Sequence, residues 1–123
     1  MTGSEIYCKV CTVDSVDEKA RTVDCTPLDE SAPLVGVNLQ ANQEGDTGVV
    51  CFPAVGSYVI VAFITPAVAA VVLCDKIDKA QLSIGKTRIT VDAEVMDASL
   101  GDTSFRITPE GVQFNGGKLG GLL

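Results

Sequence analysis

The feature that most constrains this chain is its C-terminal texture. From about Ala80 to Leu123 the sequence consists of short, threonine-rich apolar segments separated by glycine. None of them is long or apolar enough to bury a core alone, so this stretch is expected to wrap around copies of itself. Two of its parts resemble each other. Ile84-Gly85-Lys86-Thr87 runs to Ile89-Thr90 and Val95, and Leu100-Gly101-Asp102-Thr103 runs to Ile107-Thr108 and Val112. A repeat too short to enclose its own core must stack on neighbours.

The rest of the chain is also written for strands. Val, Ile and Thr recur in short runs between Gly, Pro, Asp and Asn, and no helical apolar stripe lasts three turns. The 123 residues suit one domain, or a small barrel with an appendage. Hydrophobic residues make up 46% but aromatics only 5%, which predicts a core built mostly of Val, Ile, Leu and Ala.

Glu5 to Val13 reads as a strand, Asp14 to Lys19 as a polar turn, and Thr22 to Leu28 as the return strand of a long hairpin. Leu34 to Leu39 and Val49 to Phe52 follow as strands, with Gln40 to Gly48 a polar connection between them. In Tyr58 to Ile64 both faces of a strand would be apolar: Tyr58, Ile60, Ala62 and Ile64 on one, Val59, Val61 and Phe63 on the other. Val68 to Cys74 has no polar face either. Such surface marks an interface unless a loop of the same chain covers it. Pro109-Glu110-Gly111 joins Ser104 to Thr108 and Val112 to Asn115 as a hairpin, with Phe105 and Ile107 on one face of the first strand and Val112 and Phe114 on one face of the second. The candidates for a shared interface are Tyr58, Ile60, Phe63, Val71, Leu73, Ile89, Phe105, Ile107, Val112 and Phe114.

Chemistry finds little purchase. The chain has no His, which removes the commonest general base. Its 16 acidic residues cluster in turns, where solvated charge is the simpler reading. Cys8-Lys9-Val10-Cys11 forms a C-x-x-C without the helix start of a redox site or a second pair of zinc ligands, and on a strand the two thiols face opposite ways. Five cysteines, an odd number, read as reduced packing residues. Gly85-Lys86-Thr87 is similar to the end of a phosphate loop, but Ala80 stands where the upstream glycine belongs. The expectation is no enzyme, no cofactor and no metal.

The net charge is −7, and no Lys or Arg lies between Arg21 and Lys76. Nucleic acid, held mainly through cationic side chains on phosphates, is therefore a poor partner. The longest apolar run, Tyr58 to Cys74, is interrupted by Pro66, so stable membrane insertion is not expected. No leader pattern opens the chain, which makes synthesis in the cytoplasm the expectation.

Val13-Asp14, a turn, Arg21-Thr22-Val23-Asp24 and then the P-x-V-G-x-x-V-x-V-x-F pattern from Pro53 to Phe63 resemble the OB-fold domain of contractile-tail spike proteins, among them phage baseplate assembly protein V. Asp102-Thr103, Ile107 to Val112 and Phe114 to Gly117 resemble the repeats that follow that barrel in such spikes. The resemblance implies an all-β homotrimer: an OB-fold barrel over residues 1–76, then an intertwined β-hairpin, β-prism or β-helix segment over 77–123 with a Gly-rich tail. It implies a stiff spike or hub of a phage-like tail baseplate, serving membrane puncture or tube attachment, within a virion or tail particle. The implied partners are two further copies, other tail hub or tube proteins and a separate tip protein. Members of the family with a metal-tipped needle carry His-x-His, which this chain lacks, and Ile64-Thr65-Pro66-Ala67 replaces the usual Gly-Asp. The rival reading is a monomeric OB-fold module binding oligonucleotide or carbohydrate, with a disordered tail. Few aromatics and the missing basic residues weigh against it.

Overall fold

A computed structural model of the chain describes residues 7–40, 48–65 and 68–115, with Ile64 described by its backbone alone. Among the described residues there are eleven strands and no helix. They are β1 (Tyr7–Asp17), β2 (Thr22–Pro27), β3 (Leu34–Asn38), β4 (Gly48–Pro53), β5 (Tyr58–Thr65), β6 (Val68–Cys74), β7 (Ile77–Ile84), β8 (Thr87–Asp92), β9 (Met96–Leu100), β10 (Thr103–Thr108) and β11 (Gly111–Phe114). Of the described residues, 7–40, 50–65 and 68–78 belong to one compact unit, and 48–49 and 79–115 to a second.

The first unit is built on a closed barrel in the order β1-β2-β3-β6-β5. Each pairing is antiparallel except that of β3 with β6, which meet in parallel at Asn38 and Ala70. Closure leaves this sheet without an open edge. The interior is explained by alternation. Cys11 and Val13 on β1, Val23 and Cys25 on β2, and Val59, Val61 and Phe63 on β5 all point inward, joined by Val37, Leu39, Val50 and Phe52. Valine dominates, as the composition predicts, but two thiols and two phenyl rings supply much of the remaining volume.

Two local readings are revised. β1 does not stop at Val13. It continues to Asp17 through a bulge between Val13 and Ser15, and the turn lies beyond it. A bulge adds one residue and re-aims the strand. Here it sends the polar side chains outward: Asp14 accepts a hydrogen bond from the Thr26 hydroxyl (2.7 Å), and Ser15 donates to Asp24 (3.2 Å). Polarity therefore belonged to the outer face of a strand rather than to a turn. Likewise, one apolar face of β5 is simply the barrel interior, and Ala69, Val71 and Cys74 of β6 pack against the same core. The uncovered surface is the outer face alone, with Tyr58, Val72 and Leu73 exposed. The expected polar connection from Gln40 to Gly48 lies almost wholly outside the described residues.

The second sheet has the order β11-β10-β9-β8-β7-β4. From β7 to β11 it is a meander in which every neighbour is antiparallel and consecutive in sequence. The stretch up to Phe114 is thus strand rather than the disordered tail that the rival reading requires. The two resembling segments fall on equivalent turns. Gly85 closes β7 to β8 at φ 58° and Gly101 closes β9 to β10 at φ 61°. That left-handed geometry favours glycine, which explains why the repeat is punctuated there.

Candidate assembly surface

Register determines what each face of the meander carries. Leu82 pairs with Ile89, Ile89 with Ala98, Ala98 with Phe105 and Phe105 with Phe114. The row two residues away runs Ala80, Val91, Met96, Ile107 and Val112. On the other side of the first row lie Ile84, Thr87, Leu100 and Thr103. Since side chains directly opposite on paired strands share a face, all three rows project the same way. The result is one almost wholly apolar face across five strands.

The reverse face is polar. Its central row is Gln81, Thr90, Asp97, Arg106 and Gln113. Arg106 grips Asp97 in a two-pronged ion pair, with its Nε 2.7 Å and a terminal nitrogen 3.1 Å from the carboxylate oxygens. That contact raises the Arg106 pKa above its ordinary value. At the β8 to β9 turn, Asp92 accepts the N–H groups of Glu94 and Val95, each at 2.9 Å, and these hydrogen bonds lower its pKa. Along the paired rows of the meander, the charged side chains lie on this face.

No side chain of β7 to β11 is fully buried among the described residues. Ile84 and Leu100 are more than half exposed, as is Val112, and Met96, Phe105 and Ile107 remain open to solvent. The Phe105 and Phe114 rings lie 6.3 Å apart at a tilt of 47°, so they touch edgewise without covering each other. Among the described residues of the unit, the apolar face has no second layer.

The ten expected interface residues divide accordingly. Ile89, Phe105 and Phe114 occupy one row of the apolar face, with Ile107 and Val112 in the next. Sequence reasoning missed Leu82, Val91, Met96, Leu100 and Ile84 on the same face. The signal that locates them is the parity carried through the tight turns after Ile84 and Leu100. On the barrel, Tyr58 and Leu73 are exposed and Ile60 half-buried. Phe63 differs: it is 9% exposed, belongs to the barrel core and stacks on Tyr7 at 4.8 Å. Val71 pairs with the buried Val61 and also leans on that core. Both serve their own chain's interior.

Two places could carry chemistry. Cys8 is exposed and Cys11 buried, so the C-x-x-C never converges. Cys11 instead meets Cys25 inside the barrel, where desolvation pushes the Cys25 thiol up to about 12 and raises Cys11 as well. Such thiols are poor nucleophiles. Among the described residues no three of His, Cys, Asp and Glu gather as a metal cluster. Family models, curated proteins and solved structures offer no match to this chain.

Proposed function

We propose that the chain is a structural protein of a contractile, phage-like tail, trimerising into a stiff axial spike or hub in the baseplate. The observation that carries this reading is the single-layer meander from β7 to β11, apolar on one face and polar on the other. Three such faces turned toward a common axis would cover one another and leave the polar rows outside, a closed symmetric arrangement. Neighbouring chains would also cap the edge of β11. The parallel pairing of the third and fifth barrel strands, in a barrel closed between its first and fourth, supports an OB-fold. That combination of barrel and repeat tail is the one the spike resemblance implies.

The work is mechanical. Axial force is transmitted through a packed, dry junction, and no side chain is assigned a catalytic step. Two further copies are the first partners, with hub, tube or tip proteins beyond them, and the site of action is the tail particle. Light scattering on the purified chain tests the assembly: the expected mass is three times the 12.8 kDa of one chain, persisting in mild denaturant. A stable monomer overturns the reading, and is what the rival oligonucleotide or carbohydrate module would give.

A further inference from the structure

A second uncovered apolar surface lies on the barrel, wholly within the first unit. Val10, Ile60 and Leu73 pair in a row across β1, β5 and β6 on the outer face. With Leu28, Tyr58 and Asp75 they line a groove of about 460 Å³. Leu73 is 62% exposed and Tyr58 51%. The backbone beneath is already satisfied: Leu28 N–H donates to the Val10 carbonyl and Asp75 N–H to the Tyr58 carbonyl, each at 2.9 Å. The groove therefore cannot recruit a partner by adding a strand, and must work through side chains.

Charge says what kind of partner. Among the described residues the barrel unit carries eight acidic residues against four basic, while the second unit carries five against four. Most of the described negative charge thus resides on the barrel. A second barrel presented to this groove would bring like charge against like, which disfavours the contact. Asp75 on the lining makes no ion pair among the described residues. We propose that this groove docks a segment of a different protein, one bearing aliphatic side chains flanked by lysine or arginine. The aliphatic groups fill the space over Ile60 and Leu73, and a cation meets Asp75. This site is independent of the meander face and of the trimer reading.

Tyr58 makes the test local, because the chain has no Trp and only two Tyr. In a Tyr7→Phe background, Tyr58 emission reports on the groove alone. The probe is a synthetic peptide of alternating lysine and leucine, compared with glutamate–leucine and lysine–serine versions. The lysine–leucine peptide should change Tyr58 emission saturably. Leu73→Ser should weaken it by about tenfold, since a buried aliphatic side chain contributes ~1.5 kcal/mol or more. Asp75→Asn, or raising salt so that the Debye length falls to about 3 Å, should weaken it several-fold. Equal binding of the glutamate–leucine peptide, or an unchanged affinity in Leu73→Ser, would overturn the proposal. So would a fall in solution mass of Leu73→Ser, which would put a second copy in the groove. The trimer reading fails separately, on the mass of the unaltered chain.

Discussion

Replacing Phe105 with aspartate tests the meander face directly. Phe105 is 36% exposed in the single chain. A phenyl side chain of about 200 Å² would then leave about 70 Å² to be covered on assembly, worth ~1.8 kcal/mol per chain at 25 cal/mol per Å². Three copies contribute about 5 kcal/mol, nearly four decades in the overall association constant. Aspartate loses that contribution and also brings a carboxylate into a dry contact, at a cost of several kcal/mol per unpaired ion. Phe105→Asp should therefore be monomeric at micromolar concentration by light scattering, while Phe105→Leu, which keeps most of the buried area, remains assembled. The barrel should be unaffected, because Phe105 lies outside its core cluster. A Phe105→Asp protein that keeps the mass and melting temperature of the parent would refute the placement of this face at the shared interface.

Three other outcomes follow from the barrel. Phe52→Ala should destabilise it by about 3–5 kcal/mol in denaturant titration, since the ring is fully enclosed and its removal leaves a cavity. Asp29 has its pKa lowered to about 2 by hydrogen bonds from the Ser31 hydroxyl and N–H and by Lys9. A depressed folded pKa contributes stability that is present above the unfolded value near 4 and is lost as pH falls toward 2. Melting temperatures measured across that window should fall, and Asp29→Asn should flatten that part of the fall. With a thiol-specific alkylating agent near pH 8, the exposed Cys8 should react first and Cys25, pushed up to about 12, only on unfolding. Rapid native labelling of Cys25 would contradict its enclosure in the barrel.

Much of the fold was legible because register and alternation are local. The Pro109-Glu110-Gly111 turn announces the last hairpin, and its pairing of Phe105 with Phe114 and Ile107 with Val112 puts the four expected side chains on one face. What escaped was information that lies between segments. Asp14 and Ser15 looked like a turn because polar residues mark both turns and outer strand faces, and only the pairing with β2 separates the two. Phe63 looked like interface because a strand apolar on both sides does not say which side meets its own barrel. Its neighbours Val59 and Val61 enter the core by parity, and Phe63 follows them. Tyr58, Ile60 and Leu73 stood out as apolar surface, but the groove they form with Val10 beside Asp75 was not legible, since these residues come together only through the closure of β1 on β5 and the pairing of β6.

The two units solve the burial problem differently, and the difference bears on function. The barrel closes on itself, so its interior is complete in one chain. The meander has tight glycine turns, regular register and a bidentate ion pair on its polar side, yet its described residues enclose nothing. A sheet with one apolar face must bury that face against another element. A marginal domain could obtain that layer from a few extra residues of its own. Here the apolar rows instead extend across five strands, and along the paired rows the charged side chains of the described residues lie on the reverse side. A surface so consistently divided is suited to being covered by identical surfaces around an axis. If the proposed assembly holds, the lack of an enclosed core among the described residues of this unit would couple assembly to folding of the C-terminal stretch.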